Sequence, residues 1–375
     1  MRSLCPAAIA ALAAVSPLAA QNVGLQLTNG VDTYVDVPYA ATLVPRSGIT
    51  IEAWVTYDDS TLGTGYRWPT VVRQNSTPGS ENYMLRVNAA NTNTLSLGWM
   101  VRTSSGTRTA SWAFTTGQLQ TWTHVAGTYD GAMVRLFVNG VEVASTPATG
   151  DIVNTGNTLR IGNGDLSSPG IEEWNGEIDE VRLWPFARTA AEISDTMNFE
   201  LSSIPFEVST WNLNSNAQDS SGANAGQLVN APTFAPNTLN LPPVTLASAN
   251  FGTATTGCTG APRSVVTTFP RVGNAAFAVG SIRSTTTGAG VFWLATANLS
   301  APIRFLGVDL WIDPTALGVQ IPVAGGALAF ARIPLPIPNS PSLRNRQLVF
   351  QTIWAESGCA TPLFASDGGV FQIAP

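Results

Sequence analysis

Residues 176–184, GEIDEVRLW, place Glu177, Asp179 and Glu180 within four positions. Two chemistries want carboxylates this close together. A retaining glycoside hydrolase needs a nucleophile and a general acid about 5–5.5 Å apart. A hard cation such as calcium wants several oxygen ligands around it. In a strand, alternate side chains share a face, so Glu177 and Asp179 stand together while Glu180 points the other way. A third carboxylate in step would fall at 181, where the chain has Val181, followed by Arg182. This strand therefore lacks a general acid.

Other reactive side chains are few. The chain has no lysine, which removes Schiff-base chemistry and a phosphate-loop lysine. A single histidine, His124, rules out zinc sites built from several histidines and stands with no Ser or Cys motif. It is expected to be structural. The net charge of −6 offers no basic surface for nucleic acid. DSSGANAG, 219–226, lacks the alternating acids and final Glu of a calcium loop, and is read as an Asx turn. Of the 11 tryptophans, Trp68 differs from the rest. It follows a Gly-rich loop, LGTGYRWPT, in which Tyr66, Arg67 and Trp68 could project. Tyr, Arg and Trp are the residues that dominate binding hot spots, so these three are the candidate ligand contacts.

The elements that position these residues are strands. YVDVP, ITIEAWVTY, TLSLGWMV and TLRIGN alternate apolar and polar residues with period two. In THVAGTYDGAMVRLFVNGVEVAS, Asp130-Gly131 and Asn139-Gly140 each divide such runs and suit two-residue hairpin turns. Only 187–197, ARTAAEISDTM, reads as helical. The polar, Pro/Asn-rich stretch 201–249 is expected to be a flanking segment and linker with some strand pairing. From 250 to 375 a second β-rich region follows, and its Pro-dense ARIPLPIPNSPSL is barred from a central strand. Residues 1–20 carry Arg2 and then a short apolar run ending in small residues, the pattern of a secretory signal peptide. No later stretch is apolar enough to span a membrane. After the signal, Cys258 and Cys359 remain, and in an exported chain they read as one disulfide closing a loop of about 100 residues.

Taken in order, GVDTYVDVP, ITIEAWV, WTHVAGTYDGAMVRLFVNGVEVAS, LRIGN and WNGEIDEVRLWPFARTAAEI resemble the laminin-G-like jellyroll family of concanavalin A-type folds. The resemblance covers residues 21–200. The 211–234 stretch is similar to segments that flank such domains in bacteria, and 250–375 resembles the cysteine-paired C-terminal domains of exported planctomycete proteins. The fold expected is all-β: a concanavalin A-like jellyroll sandwich plus a second, smaller β-sandwich-like domain. The family resemblance implies a structural calcium held by Asp179 and by the opening turn at Asn29 and Gly30, with Asn29 standing where relatives carry Asp. It also places Trp54, Trp122, Trp174 and Trp184 in core positions.

The function implied is a secreted or cell-surface, non-catalytic recognition protein that binds a glycan or an extracellular protein. Two alternatives stand beside it. One is a glycoside hydrolase on the same fold, drawing acids such as Asp58, Asp59 or Glu81 from elsewhere. The other is a purely structural surface component.

Overall fold

The computed structural model describes residues 22–28, 30–46, 48–59, 67–74, 79–89, 95–164, 172–202, 208–245, 248–326 and 329–375. The expected signal peptide, Asn29 and Tyr66 lie outside the described residues. The first elements are β1 (Val23–Leu27), β2 (Tyr34–Val37), β3 (Ile49–Val55), β4 (Thr70–Gln74), β5 (Tyr83–Ala89) and β6 (Leu95–Thr103). Next come β7 (Gly106–Phe114), β8 (Thr123–Tyr129), β9 (Met133–Val138), β10 (Val141–Pro147), β11 (Leu159–Ile161) and β12 (Gly176–Trp184). After the helix α1 (Ala190–Thr196) follow β13 (Glu200–Ser202), β14 (Ser209–Trp211), β15 (Gln227–Val229) and β16 (Thr233–Pro236).

These strands build a two-sheet sandwich. The back sheet runs β10-β9-β8-β3-β12-β1-β16, and the front sheet β15-β2-β11-β4-β5-β6-β7. Leu25, Ile51, Val125 and Ile178 from the back meet Val35, Leu85, Leu97 and Trp99 from the front in one core. Trp99 fits because β8 has glycine opposite it: a Cβ on Gly127 would lie 2.2 Å from the indole. The Trp99 indole N–H donates to the Thr128 carbonyl at 3.1 Å. Asn139 and Gly140 both have positive φ, the two-residue turn expected between β9 and β10. The β8–β9 connection is longer than expected, spanning residues 130–132, because the Asp130 carboxylate caps the amides of Ala132 (2.9 Å) and Met133 (2.7 Å).

The stretch expected to be a linker is largely built into the sandwich. β14 pairs with β12, β15 with β2 and β16 with β1. Its few apolar residues suffice because each strand joins an edge or end that already exists. Asp219 is the Asx anchor expected, accepting from Ser221 N (3.0 Å), Asn224 N (3.0 Å) and Thr210 N (2.9 Å).

Residues 248–372 form the second β region. Ser248–Phe251, Ala289–Ala295, Gly318–Ala324, Gln347–Ala355 and Gly368–Gln372 share one sheet, while Arg263–Val266, Ala278–Ile282 and Phe330–Pro334 form another. The proline-bearing Phe330–Pro334 is an edge strand, as proline's missing donor requires. Cys258 and Cys359 are joined as a disulfide.

The two regions share a core. Trp184, Phe186, Leu201 and Val208 from the sandwich pack with Val265, Phe277, Ile333 and Phe371 from the second region. Phe186 stacks on Phe330 with ring centroids 5.0 Å apart. Trp184 is therefore a junction residue rather than part of the sandwich core, whereas Trp174 is in that core. Helix α1 is wedged at this seam. Thr189 and Glu192 cap it reciprocally, Glu192 also pairs with Arg332, and Asp195 pairs with Arg271.

Candidate ligand-binding face

The 177–180 carboxylates do not form a cleft. A bulge in the β12–β3 register falls between Asp179 and Arg182, and Glu180 takes φ +51°. Both Asp179 and Glu180 end up buried, while Glu177 is half-buried. Burial, then the neighbouring Glu180 charge, pushes the Asp179 pKa up to about 8. Burial likewise lifts Glu180 to about 7, against the pull of Arg182 at 2.8 Å. Asp179 accepts from the Glu180 amide (2.9 Å), Asn237 Nδ2 (3.0 Å) and Asn22 Nδ2 (3.4 Å).

That environment does not fit the calcium expected at Asp179. The groups converging on it are N–H donors, and the side-chain oxygen of Asn237 is taken by the Leu239 amide at 2.9 Å. Gly30 is elsewhere. Leu25 faces Ile178 and Leu27 faces Gly176, so β1 runs ~10 Å away from Asp179 before the opening turn begins. There the Gly30 amide donates to the Glu173 carboxylate. The structure thus does not bring Asp179 and Gly30 together. Among the described residues, the one group of three His, Cys, Asp or Glu donors within 4.8 Å is Cys258, Glu356 and Cys359, and its cysteines form the disulfide.

The outer side of the back sheet is closed. Glu52, fully buried there, pairs with Arg188 at 2.9 Å and accepts from the Trp184 indole at 2.8 Å. His124, expected to be structural, lies beside it at 3.8 Å, edge-on to Trp54. Burial lowers the His124 pKa to about 4, which leaves the ring neutral. Trp54 is accordingly not a sandwich-core residue; its indole donates to the Met197 carbonyl at 2.7 Å beneath the end of α1. Two clefts of about 330 and 460 Å³ flank the junction, but their charges are mutually paired, Arg46 with Asp151 and Arg135 with Asp130.

The front sheet is different. Leu85, Val87, Leu97 and Trp99 point into the core, so Met84, Arg86, Asn88, Ser96, Gly98 and Met100 point outward. Register aligns Thr70, Arg86, Gly98 and Ser111 in one row across four strands, with Asn88 opposite Ser96 in the next. At one side Arg73, 1% exposed, is held between Glu172 and Glu81, the latter at 2.9 Å. Arg86 lies over the Trp68 indole, 5.8 Å from its centroid. Of the candidate contacts, Trp68 therefore borders this face; Arg67 sits close enough to Tyr57 for its charge to act on that phenol; Tyr66 is outside the described residues.

The fallback acids do not converge as a catalytic pair. Glu81 is committed to Arg73, and Asp59 to the Gly117 amide (2.7 Å) and Gln120 (3.0 Å), while Asp58 is exposed. Sequence reasoning passed over Arg73, Arg86 and Glu172. Parity held the signal for the arginine at 86, since it falls out of step with Leu85 and Val87.

Residues 29–194 match the Laminin_G_3 family model, described as the concanavalin A-like lectin/glucanases superfamily. No curated protein matches the chain. Among solved structures it is similar to a putative carbohydrate binding protein from Bacteroides ovatus ATCC 8483, at 19% identity and TM-score 0.44, over 58% of this chain and 62% of that one. The chain thus spans under two thirds of that protein. It is also similar to a heptameric SAP-like pentraxin from Limulus polyphemus, at 14% identity and TM-score 0.43, over 59% and 98% of the two chains. A third is the CBM40 of the Ruminococcus gnavus IT-sialidase, with 18% identity, TM-score 0.36 and coverage of 46% and 94%.

Proposed function

From a chain whose residues 29–194 form a domain of the concanavalin A-like lectin/glucanases superfamily, we propose a non-catalytic recognition protein that binds a glycan on the outer face of its front sheet. One observation carries this reading. The middle of the back sheet's outer side is covered by α1 and the second domain, whereas on the front sheet's outer side Arg86, Asn88, Ser96 and Ser111 keep access to solvent, beside the buried Thr70, Arg73, Met84 and Met100. That face combines an indole, guanidinium groups and short polar side chains, the mixture that stacks on sugar rings and hydrogen-bonds their hydroxyls. The absence of catalysis is supported by the carboxylates described on this face being paired with arginines, Glu81 and Glu172 with Arg73 and Asp36 with Arg160.

The signal-like residues 1–20 support export, to the surface or the medium. Among the described residues no helix is long and apolar enough to cross a membrane. The second domain, fused to the back of the sandwich, acts as a rigid mount that holds the front face outward. A glycan array of the mature protein, run in calcium and again in EDTA, tests the reading. Binding to a defined glycan class in both conditions is expected; silence in both would overturn it.

A further inference from the structure

The front face carries a guanidinium, that of Arg86, with no direct ion pair among the described residues. Arg73, the buried guanidinium, has Glu172 and Glu81 as partners. Arg86, two strand positions from the Met84 that faces Arg73, has no such partner. Its contact among the described residues is the Trp68 ring, and none of its five N–H donors is hydrogen-bonded there. It is half-buried, so those donors are only partly compensated by water. Arg73 beside it adds a like charge, and the acids of that cluster act on Arg86 only at a distance.

On the β6–β7 side the surroundings of Arg86 are polar and reach solvent at Ser96 and Ser111, while Thr70 opposite it and Met84 beside it are buried. The β6 partner of Arg86 is Gly98, which puts no side chain on the face. The space over Gly98 is limited by the Asn88 amide, 3.1 Å from where a Cβ would stand. Beyond Gly98 in the same row is the exposed hydroxyl of Ser111, and Ser96 lies beside it. Asn88, Ser96 and Ser111 make no side-chain hydrogen bond among the described residues. A guanidinium with free donors, flanked by a free amide and two free hydroxyls, is a receptor for a planar anion on a polyhydroxylated body.

We propose that Arg86, with Asn88, Ser96 and Ser111, is the subsite for a sugar carboxylate, so that the ligand is an acidic glycan. The inference rests on the front-face reading and narrows it. The fork of Arg86 matches a carboxylate bidentately, while the indole below fixes its plane. Asn88 and the serines then serve the ring hydroxyls.

The test uses the full mature chain and pairs of probes differing only in charge. Oligogalacturonates, oligomannuronates and sialyllactose are each compared with their methyl esters, and keratan sulfate, which carries sulfate but no uronate, is added as a sulfate source. At least one free acid should bind, and its methyl ester should bind about tenfold to a hundredfold more weakly. Arg86→Gln should abolish that discrimination, Arg86→Lys should keep only part of it, and keratan sulfate should bind no better than the esters. Ser111→Asp, at an exposed position, should weaken the acid alone, which covers the case in which Arg86→Gln does not fold. Binding of neutral glycans with no preference for the acids would overturn this inference and leave front-face glycan recognition standing. Sulfate binding without carboxylate binding would also overturn it. No binding of any glycan would overturn both.

Discussion

Lowering the pH should destabilise this protein through one residue, His124. The imidazole is 1% exposed, its Nδ1 has no hydrogen-bond partner, and its Nε2 is 3.8 Å from Glu52. Burial drives its pKa down to about 4; the Glu52 charge opposes this, while Arg182 and Arg188 reinforce it. In the unfolded chain the same group titrates near pH 6.5. The folded value is the lower one, so the stabilisation is complete above about pH 6.5 and is lost as pH falls toward about 4. A gap of about 2.5 units corresponds to roughly 3 kcal/mol. Urea unfolding of wild type and His124→Gln from pH 7.5 to 4 isolates this from the carboxylates: the variant should lose about 3 kcal/mol less across the range. Because His124 is the chain's one histidine, its imidazole proton resonances are unambiguous. An imidazole titrating near pH 6.5 in the folded protein, or parallel pH profiles for the two proteins, would refute the reasoning.

Phe186→Ala, at a fully buried ring stacked on Phe330, should cost about 3–5 kcal/mol. Calorimetry should show the whole protein melting in one transition at a lower temperature, since the two domains share that core. Cys258→Ser with Cys359→Ser should lower stability by at most about 4–5 kcal/mol, read by urea unfolding, because the bond closes a 101-residue separation. Trp68→Ala should leave the melting temperature nearly unchanged but reduce glycan affinity about three- to tenfold in titration calorimetry, through loss of stacking and of the surface beneath Arg86. EDTA should leave the melting temperature unchanged, since the donors around Asp179 do not suit a cation.

Much of the sandwich was legible in the sequence because its strands keep strict alternation. ITIEAWV and the two Gly-containing turns place β3, β8, β9 and β10 almost to the residue. What alternation concealed was the second burial. Glu52, His124 and Arg182 occupy the polar phase of their strands and read as solvent-facing, yet all three are buried, because a second domain covers that side. Period two states which face a residue occupies, not what lies over that face. The same limit explains the 201–249 segment: strands of three or four residues added to an existing edge need little apolar pattern of their own. The carboxylates at 177–180 misled for a local reason, since one bulge re-aims Asp179 and no sequence pattern announced it. The open face was hidden in plain parity, with Arg86, Asn88 and Ser96 all out of phase with the core.

Hydrogen exchange of the protein with and without a glycan selected on the array tests the central claim most directly. Bound glycan should slow exchange in segments 83–89 and 95–103 and around Trp68, with the junction and the back sheet unaffected. Protection confined to the junction clefts or the second domain, with the front sheet unchanged, would contradict the account.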